Sequence, residues 1–192
     1  MIVSRETADR LALFRELVTA ENARQNLVSP ASLADFDTRH IEDGMQLAAL
    51  GKPGSWCDVG SGAGLPGIVI AIVTGAPMTL IEPRKLRADF LRRAVAALAV
   101  DAEVAEMKAE RVDARFDNIT ARAVAELSKL FAITEHLAQL GTRWVLPKGR
   151  SAKKELAAAQ YSWQGSFTLV PSRTSDEAMI VVAEGVRRRG KR

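Results

Sequence analysis

With 192 residues, 47% of them hydrophobic, the chain can bury one substantial core and reads as a compact α/β unit with a small appendage. One cysteine, Cys57, excludes an internal disulfide, and His40 and His136 alone make no metal-ligand cluster, so no metal is expected. The formal charge of +4 is uneven: Arg187, Arg188, Arg189, Lys191 and Arg192 close the chain, and taking those five cations away leaves the rest at −1.

Leu11, Phe14, Leu17 and Val18 recur at helical spacing, which predicts an amphipathic helix over about the first 25 residues and an irregular stretch from Asn26 to Pro30. A second helix is expected over Arg39–Leu50. Strand and helix then alternate: strand 56–59, helix 66–73, strand 78–82, helix 85–98, strand 102–106, strand 118–121, helix 125–140, strand 143–147 and helix 151–160. Two closing strands are expected near 166–170 and 178–183. Their short connection, 171–177, cannot carry a parallel crossover, so this pair should be an antiparallel hairpin. The division that follows is a helical extension over 1–50, a main domain over 51–185 and a basic tail over 186–192. No apolar run approaches the roughly 20 residues that span a bilayer, and the N-terminus shows charged helical periodicity in place of a leader, so a cytoplasmic location is expected.

The richest segment is Asp58-Val59-Gly60-Ser61-Gly62-Ala63-Gly64-Leu65-Pro66-Gly67, an apolar strand joined to a helix through a loop with almost no side chains. Such a loop lets a ligand approach the backbone closely, with helix-start amides facing it. A dinucleotide fingerprint wants Gly-x-Gly-x-x-Gly, but here the third glycine comes one residue early and Leu65 stands in its place. Acid-x-Gly-x-Gly-x-Gly, with Asp58 leading, suits S-adenosylmethionine better. That cofactor has no phosphates and carries an ammonium that a nearby carboxylate or carbonyl can hold. Glu82 ends the next strand 20 residues beyond Gly62, where nucleotide-binding α/β units place the acid that binds ribose hydroxyls. Ligands of such sheets bind beyond the carboxyl ends of the strands, which selects the glycine loop, Glu82, Arg111 to Asp113, Arg122 and Lys148. Asp113 or its neighbouring amide would face adenine.

Basic residues gather in two places near these loops, Arg84, Lys85, Arg87, Arg92 and Arg93 on one helix, and Lys148, Arg150, Lys153 and Lys154 after a later strand. Patches of this kind track phosphates and favour a nucleic-acid substrate.

The motifs DVGSGAGLPG, LIEPRKLRADFLRR, ERVD, ITARAVAEL and LPKG, preceded by RHIEDG, resemble the bacterial ribosomal small-subunit RNA guanine-N7 methyltransferases, also called the glucose-inhibited division protein B family. The resemblance runs from about Asn26 to Lys148. It implies a Rossmann-like class I S-adenosylmethionine-dependent methyltransferase fold with a seven-stranded, mostly parallel sheet. It also implies methyl transfer to N7 of a guanine in a decoding-region loop of 16S ribosomal RNA, within the small subunit. Gly60, Leu65, Val112, Asp113 and Arg122 carry over as cofactor contacts, beside Asp58, Ser61, Gly62, Gly64 and Glu82 of the motif itself. Arg122 and Lys148 carry over as the catalytic pair on the substrate side. The chain departs from the family at Asp176-Glu177-Ala178, where several relatives place a basic residue, and its N-terminal helix is short.

The expected chemistry matches what the motifs lack. Guanine N7 already presents a lone pair, so in-line displacement needs orientation and electrostatics but no base or covalent intermediate. Cytosine C5 chemistry would need a cysteine nucleophile, and Cys57 lies inside the first strand. Adenine amino methylation goes with a proline-rich, aromatic run after the fourth strand, where this chain has Thr120-Ala121-Arg122-Ala123. Arg122 is expected to donate to the cofactor carboxylate, guanine O6 or a phosphate, against an alternative ion pair with Glu82 or Glu126. Two rival functions remain: an NAD-dependent oxidoreductase on the same sheet, and a non-catalytic RNA-binding module.

Overall fold

The computed structural model describes residues 3–190, so Lys191 and Arg192 of the expected basic tail lie outside the described residues. Helix α1 (Arg5–Gln25) starts where Ser4 accepts the Thr7 backbone N–H, and it buries Leu11, Phe14 and Val18 on one face. It ends at Asn26 in the left-handed region, φ 47°, a conformation asparagine tolerates better than most residues. Ser29 and Pro30 then begin a short α2 (Pro30–Ala34), the side-chain cap and first-turn proline being ordinary helix-start signals. A wider-wound turn, Asp37–Glu42, runs directly into α3 (Asp43–Leu50). The helix expected over Arg39–Leu50 is therefore the continuation of a longer, irregular segment that begins earlier.

From there the alternation holds: β1 (Trp56–Val59), α4 (Gly67–Thr74), β2 (Met78–Ile81), α5 (Lys85–Leu98), β3 (Ala102–Ala105), β4 (Phe116–Ala121), α6 (Leu127–Thr134), β5 (Ala138–Lys148), α7 (Ala152–Ser162), β6 (Trp163–Pro171) and β7 (Met179–Arg188). The seven strands lie in the order β3-β2-β1-β4-β5-β7-β6, with β7 antiparallel to both neighbours and the other pairings parallel. The order reverses between β1 and β4, where Asp58 pairs with Thr120 and Val59 with Ala121. Loops leaving those two strands thus open onto one crevice.

Helices cover both faces of the sheet. On one, α1, α3, α4 and α5 bring Phe14, Leu47, Ile68, Ile70 and Leu91 against Trp56 and Leu80. On the other, α6 and α7 bury Leu130, Phe131 and Leu156 against Trp144, Trp163 and Ile119. The indole N–H groups of Trp144 and Trp163 donate to Thr134 Oγ1 at 3.0 Å and Ser128 Oγ at 3.1 Å, so these large rings bury without an unpaired donor. The N-terminal helices belong to the first core, and Arg93 of α5 is tied to Glu21 of α1 at 2.8 Å.

Two further elements differ markedly from the sequence reading. The helix expected to reach Leu140 stops at Thr134; a single turn over Glu135–Leu137 follows, and β5 starts at Ala138. Leu137 and Leu140 imitate a helical stripe, but Leu140 is fully exposed and Gly141 adopts φ +83°, which breaks the helix and allows a bulge in β5. Thr142 Oγ1 stabilises that bulge, accepting from Gln139 N–H and donating to Phe116 O. At the other end, the stretch read as a tail from 186 is partly strand. Arg188 of β7 pairs with Glu135 at 3.0 Å and lies over the Trp163 ring at 5.0 Å, so this cation packs instead of trailing in solvent.

Helix α4 seats closely on β1 and β2. A Cβ on Gly67 would meet Leu80 Cδ2 at 2.6 Å and Asp58 Oδ2 at 2.7 Å. Gly67→Ala is expected to destabilise the protein by about 2 kcal/mol through overpacking, read as a lower urea midpoint at unchanged slope; a midpoint equal to the parent's would count against this close approach.

Candidate active site

Two buried carboxylates shape the loop between β1 and α4. Asp58, at the end of β1, accepts the Gly67 N–H at 3.1 Å and so caps the start of α4 from below. Glu82, just past β2, accepts the Gly62 N–H at 3.0 Å with one oxygen and the Arg84 N–H at 2.9 Å with the other. Gly60 and Ser61 N–H groups reach Ile81 O at 2.8 and 3.1 Å, Ser61 Oγ donates to Asp58 O at 2.8 Å, and Gly64 N–H turns back onto Ser61 O at 2.8 Å. At Gly60 both reasons for glycine apply: φ is +71°, and a Cβ would come within 2.7 Å of Val124.

Above this loop is a cavity of about 350 Å³, lined by Gly60, Ser61, Gly62, Ala63, Leu65, Glu82, Arg84, Arg87, Arg122 and Val124, with Leu27 and Val28 from the N-terminal segment. Most of the residues expected to hold a cofactor converge here. Asp58 does not line it. Its carboxylate lies beneath the loop, fully buried, and Oδ1 has no hydrogen-bond partner among the described residues. Burial pushes this carboxyl up to about 6, while the Gly67 N–H and the Arg122 charge pull it back. Gly64, Val112 and Asp113 do not line the cavity either. Val112 buries with Ala109 in the second core, and Asp113 is exposed. Cys57 is fully buried, which raises its thiol well above the ordinary value. Among the described residues no group of three or more His, Cys, Asp or Glu could hold a metal.

Arg122, one residue past β4, is half-buried and held from the N-terminal side. Its Nη1 donates to His40 Nδ1 at 2.9 Å and to Arg39 O at 3.4 Å, and lies 3.8 Å from Asp43 Oδ2. Neither Glu82 nor Glu126 is its partner. Because Nδ1 accepts from a guanidinium, His40 is the neutral tautomer with its proton on Nε2, donating to Ser32 Oγ at 2.6 Å. Burial, then the nearby Arg122 charge, lower His40 to about 4. Next in the chain, Ala123 takes φ +56°, a left-handed conformation for a residue with a Cβ, and such strain costs about 1–2 kcal/mol.

Lys148, at the end of β5, donates to Ala125 O at 2.7 Å and pairs with Glu155 at 2.9 Å. Glu155 also accepts the Leu127 N–H at 3.0 Å and Ser151 Oγ at 2.6 Å. The Lys148 ammonium is thereby committed to fixing the loop between β4 and α6. Much of the basic helix patch is likewise neutralised within the protein: Lys85 and Arg92 pair with Asp89, and Arg92 also with Glu106. Arg84 and Arg87 are the members that face the cavity.

Arg122, Ala123 and Val124 form a wall shared with a second cavity of about 490 Å³, also lined by Asp43, Lys148, Thr174, Met179 and Ile180. Sequence reasoning missed His40, Asp43, Val124 and Glu155 as parts of the site. The RHIEDG segment was the available signal for the first two; nothing local marks Val124 or Glu155.

Strand order, a glycine loop after β1 and an acid after β2 define a Rossmann-like S-adenosylmethionine-dependent methyltransferase. The same fold occurs in the glycopeptide N-methyltransferase MtfA complexed with S-adenosyl-L-methionine, with a TM-score of 0.65 at 10% identity, covering 76% of this chain and 93% of that one. The model of the rRNA small subunit methyltransferase G family matches residues 7–176. The ribosomal RNA small subunit methyltransferase G of Sphingopyxis alaskensis is 44% identical over 98% of this chain and 84% of its own length, and that of Rhizorhabdus wittichii is 41% identical over 98% and 90%. The chain belongs to the rRNA small subunit methyltransferase G family. It is thus a methyltransferase, and both the oxidoreductase and the non-catalytic module are set aside. No helix among the described residues is long and apolar enough to cross a membrane.

The opposite shifts of Asp58 and His40 give opposite pH signatures. Asp58 titrates higher in the fold than its ordinary 3.8, so ionising it costs stability as pH rises through about 6. His40 titrates lower than 6.5, so the fold loses stability as pH falls from 6.5 through about 4. Each effect is worth roughly 3 kcal/mol. From pH 7 to pH 4, Asp58→Asn should lose stability relative to the parent and His40→Gln should gain it, measured by urea unfolding across that range. Parallel pH curves for parent and variants would refute both assignments.

Proposed function

We propose that this chain transfers a methyl group from S-adenosylmethionine to N7 of a guanine in a decoding-region loop of 16S ribosomal RNA, acting on the small ribosomal subunit in the cytoplasm. The observation that carries this reading is the wall of Arg122, Ala123 and Val124, which faces the glycine-loop cavity on one side and the second cavity on the other. A donor and an acceptor placed on its two sides are neighbours.

The residues of the first cavity fit the cofactor. Glu82 has both oxygens oriented by loop amides and borders the cavity, so its remaining lone pairs suit ribose hydroxyls. Gly60 and Gly62 border the cavity with bare backbone, and Leu65 lines the same cavity. Asp58 keeps the loop and the start of α4 in place, and its unpaired Oδ1 supplies negative charge beneath the site. When bound, S-adenosylmethionine supplies a methyl group on an electron-poor sulfonium sulfur.

The chain has to align that methyl with N7 and keep water away, because N7 needs no deprotonation. Arg122 donates to the cofactor carboxylate or to guanine O6, its planar fork matching either acceptor. His40 has both ring nitrogens engaged, by Arg122 and Ser32, and so orients the guanidinium without serving as a base. Lys148 acts on the substrate side by fixing the loop that carries the shared wall. The narrow major groove of A-form RNA hides N7, so the target base must come from a loop or a splayed strand. Arg84 and Arg87, which line the cavity, supply salt-sensitive phosphate contacts.

Arg122→Ala is expected to lower methyl transfer by about 10²- to 10³-fold while leaving the unfolding midpoint near the parent's. The assay is transfer of labelled methyl from the cofactor to undermodified small subunits, followed by mapping of the modified base. Parent-like turnover in the variant would remove Arg122 from the site, and label at any position other than guanine N7 would overturn the proposed reaction.

A further inference from the structure

The second cavity has mainly apolar sides, with Pro147, Met179 and Ile180 among them, and few polar groups free to meet a ligand. Lys148 and Glu155 are committed to each other and to the start of α6. Glu126 also lines the cavity but is exposed to solvent, whereas Arg122, a donor, and Asp43, an acceptor, are partly buried and stand side by side, with Nη1 and Oδ2 3.8 Å apart.

The two oxygens of Asp43 differ. Oδ1 accepts from Gln46 Nε2 at 2.8 Å and from Thr174 Oγ1 at 3.2 Å. Gln46 is itself fixed, its Oε1 accepting the Arg173 N–H at 2.9 Å and its Nε2 also donating to Ser172 Oγ at 3.1 Å. The carboxylate is thereby pinned between α3 and the loop that precedes β7. Oδ2 accepts no hydrogen bond from any described residue, although the side chain is only 14% exposed. Because Asp43 lines the cavity, those vacant lone pairs are open to donors on a ligand there.

Guanine can supply them. Its Watson–Crick edge runs from the O6 acceptor to the N1–H and 2-amino donors, so a guanidinium beside a carboxylate matches it in order. Adenine would set an amino group against Arg122 and a lone pair against Asp43. Resting on the guanine methyl-transfer reading above, we propose that Asp43 determines base specificity, its Oδ2 accepting from the N1–H and 2-amino groups of the extruded guanine. An extruded base read along this edge keeps N7, on the other side of O6, free for the transfer.

The test compares two otherwise identical RNA substrates, carrying guanosine or inosine at the target position. Inosine keeps N7 and O6, and therefore any Arg122 contact, but lacks the 2-amino group. The parent enzyme should favour guanosine roughly 10-fold or more in kcat/KM, and Asp43→Asn should bring that ratio close to one. If Asp43 merely positions Arg122, the variant slows transfer to both RNAs by the same factor and keeps the ratio, which would overturn the inference. A parent that treats the two RNAs alike overturns it without recourse to any variant, so a poorly folding Asp43→Asn cannot shelter it. Failure of the parent to methylate even the guanosine RNA would instead bring down the methyl-transfer reading itself.

Discussion

Two buried carboxylates bonded to backbone amides hold the glycine loop in shape, and most of the candidate site's geometry depends on them. Asp58 fixes the point where the loop becomes α4, and Glu82 fixes the loop's crest and the first residues after β2. Glycine-rich backbone has little side-chain packing to define it, so its conformation must come from hydrogen bonds. Carboxylates suit this task because each oxygen can take more than one donor, leaving capacity toward a ligand. The same arrangement costs stability: Asp58 is charged in a dry environment, with one oxygen unpaired. Its persistence there fits a protein that gives up stability to hold a charged pocket ready.

Arg122 shows how the N-terminal helices help to build the candidate site. β4 delivers the residue to the crevice where the strand order reverses, but its partners, His40, the Arg39 carbonyl and Asp43, all come from the irregular segment before β1. The wide turn over Asp37–Glu42 and the start of α3 present these groups, and Phe36, edge-on to the His40 ring at 4.9 Å, packs that turn against the core. Because His40 is buried and neutral, it accepts from the guanidinium without competing for its charge. The segment before residue 50 is thus part of one wall of the site as well as a cover for the sheet.

The basic residues divide by position. Those on the outer face of α5 are paired with acids of the same helix or its neighbours, and Lys148 is paired with Glu155. Arg84 and Arg87, at the start of α5, face the cavity. Counting charges along the chain overstates the phosphate-tracking surface, because it cannot see which cations already have partners.

The strand and helix periods, the antiparallel ending and the acid-x-Gly-x-Gly-x-Gly loop with Glu82 at its spacing were all readable in the chain. They are local: burial of alternating faces, the φ demanded of a glycine and the length of a connection each act within a few residues. The false helical stripe through Leu137 and Leu140 shows the limit, since a single glycine at 141 and the pairing of β5 with β4 outweighed a pattern of apolar spacing. Sequence by itself determined the fold class, the family and the glycine loop after β1. Only the tertiary structure decided that Lys148 is tied to Glu155, that Val112 and Asp113 stand away from the cavity, and that His40 and Asp43 flank Arg122 across about 80 residues of chain. Hydrogen bonds and ion pairs depend on distances fixed by packing, and such long-range proximities leave no periodic trace along the chain.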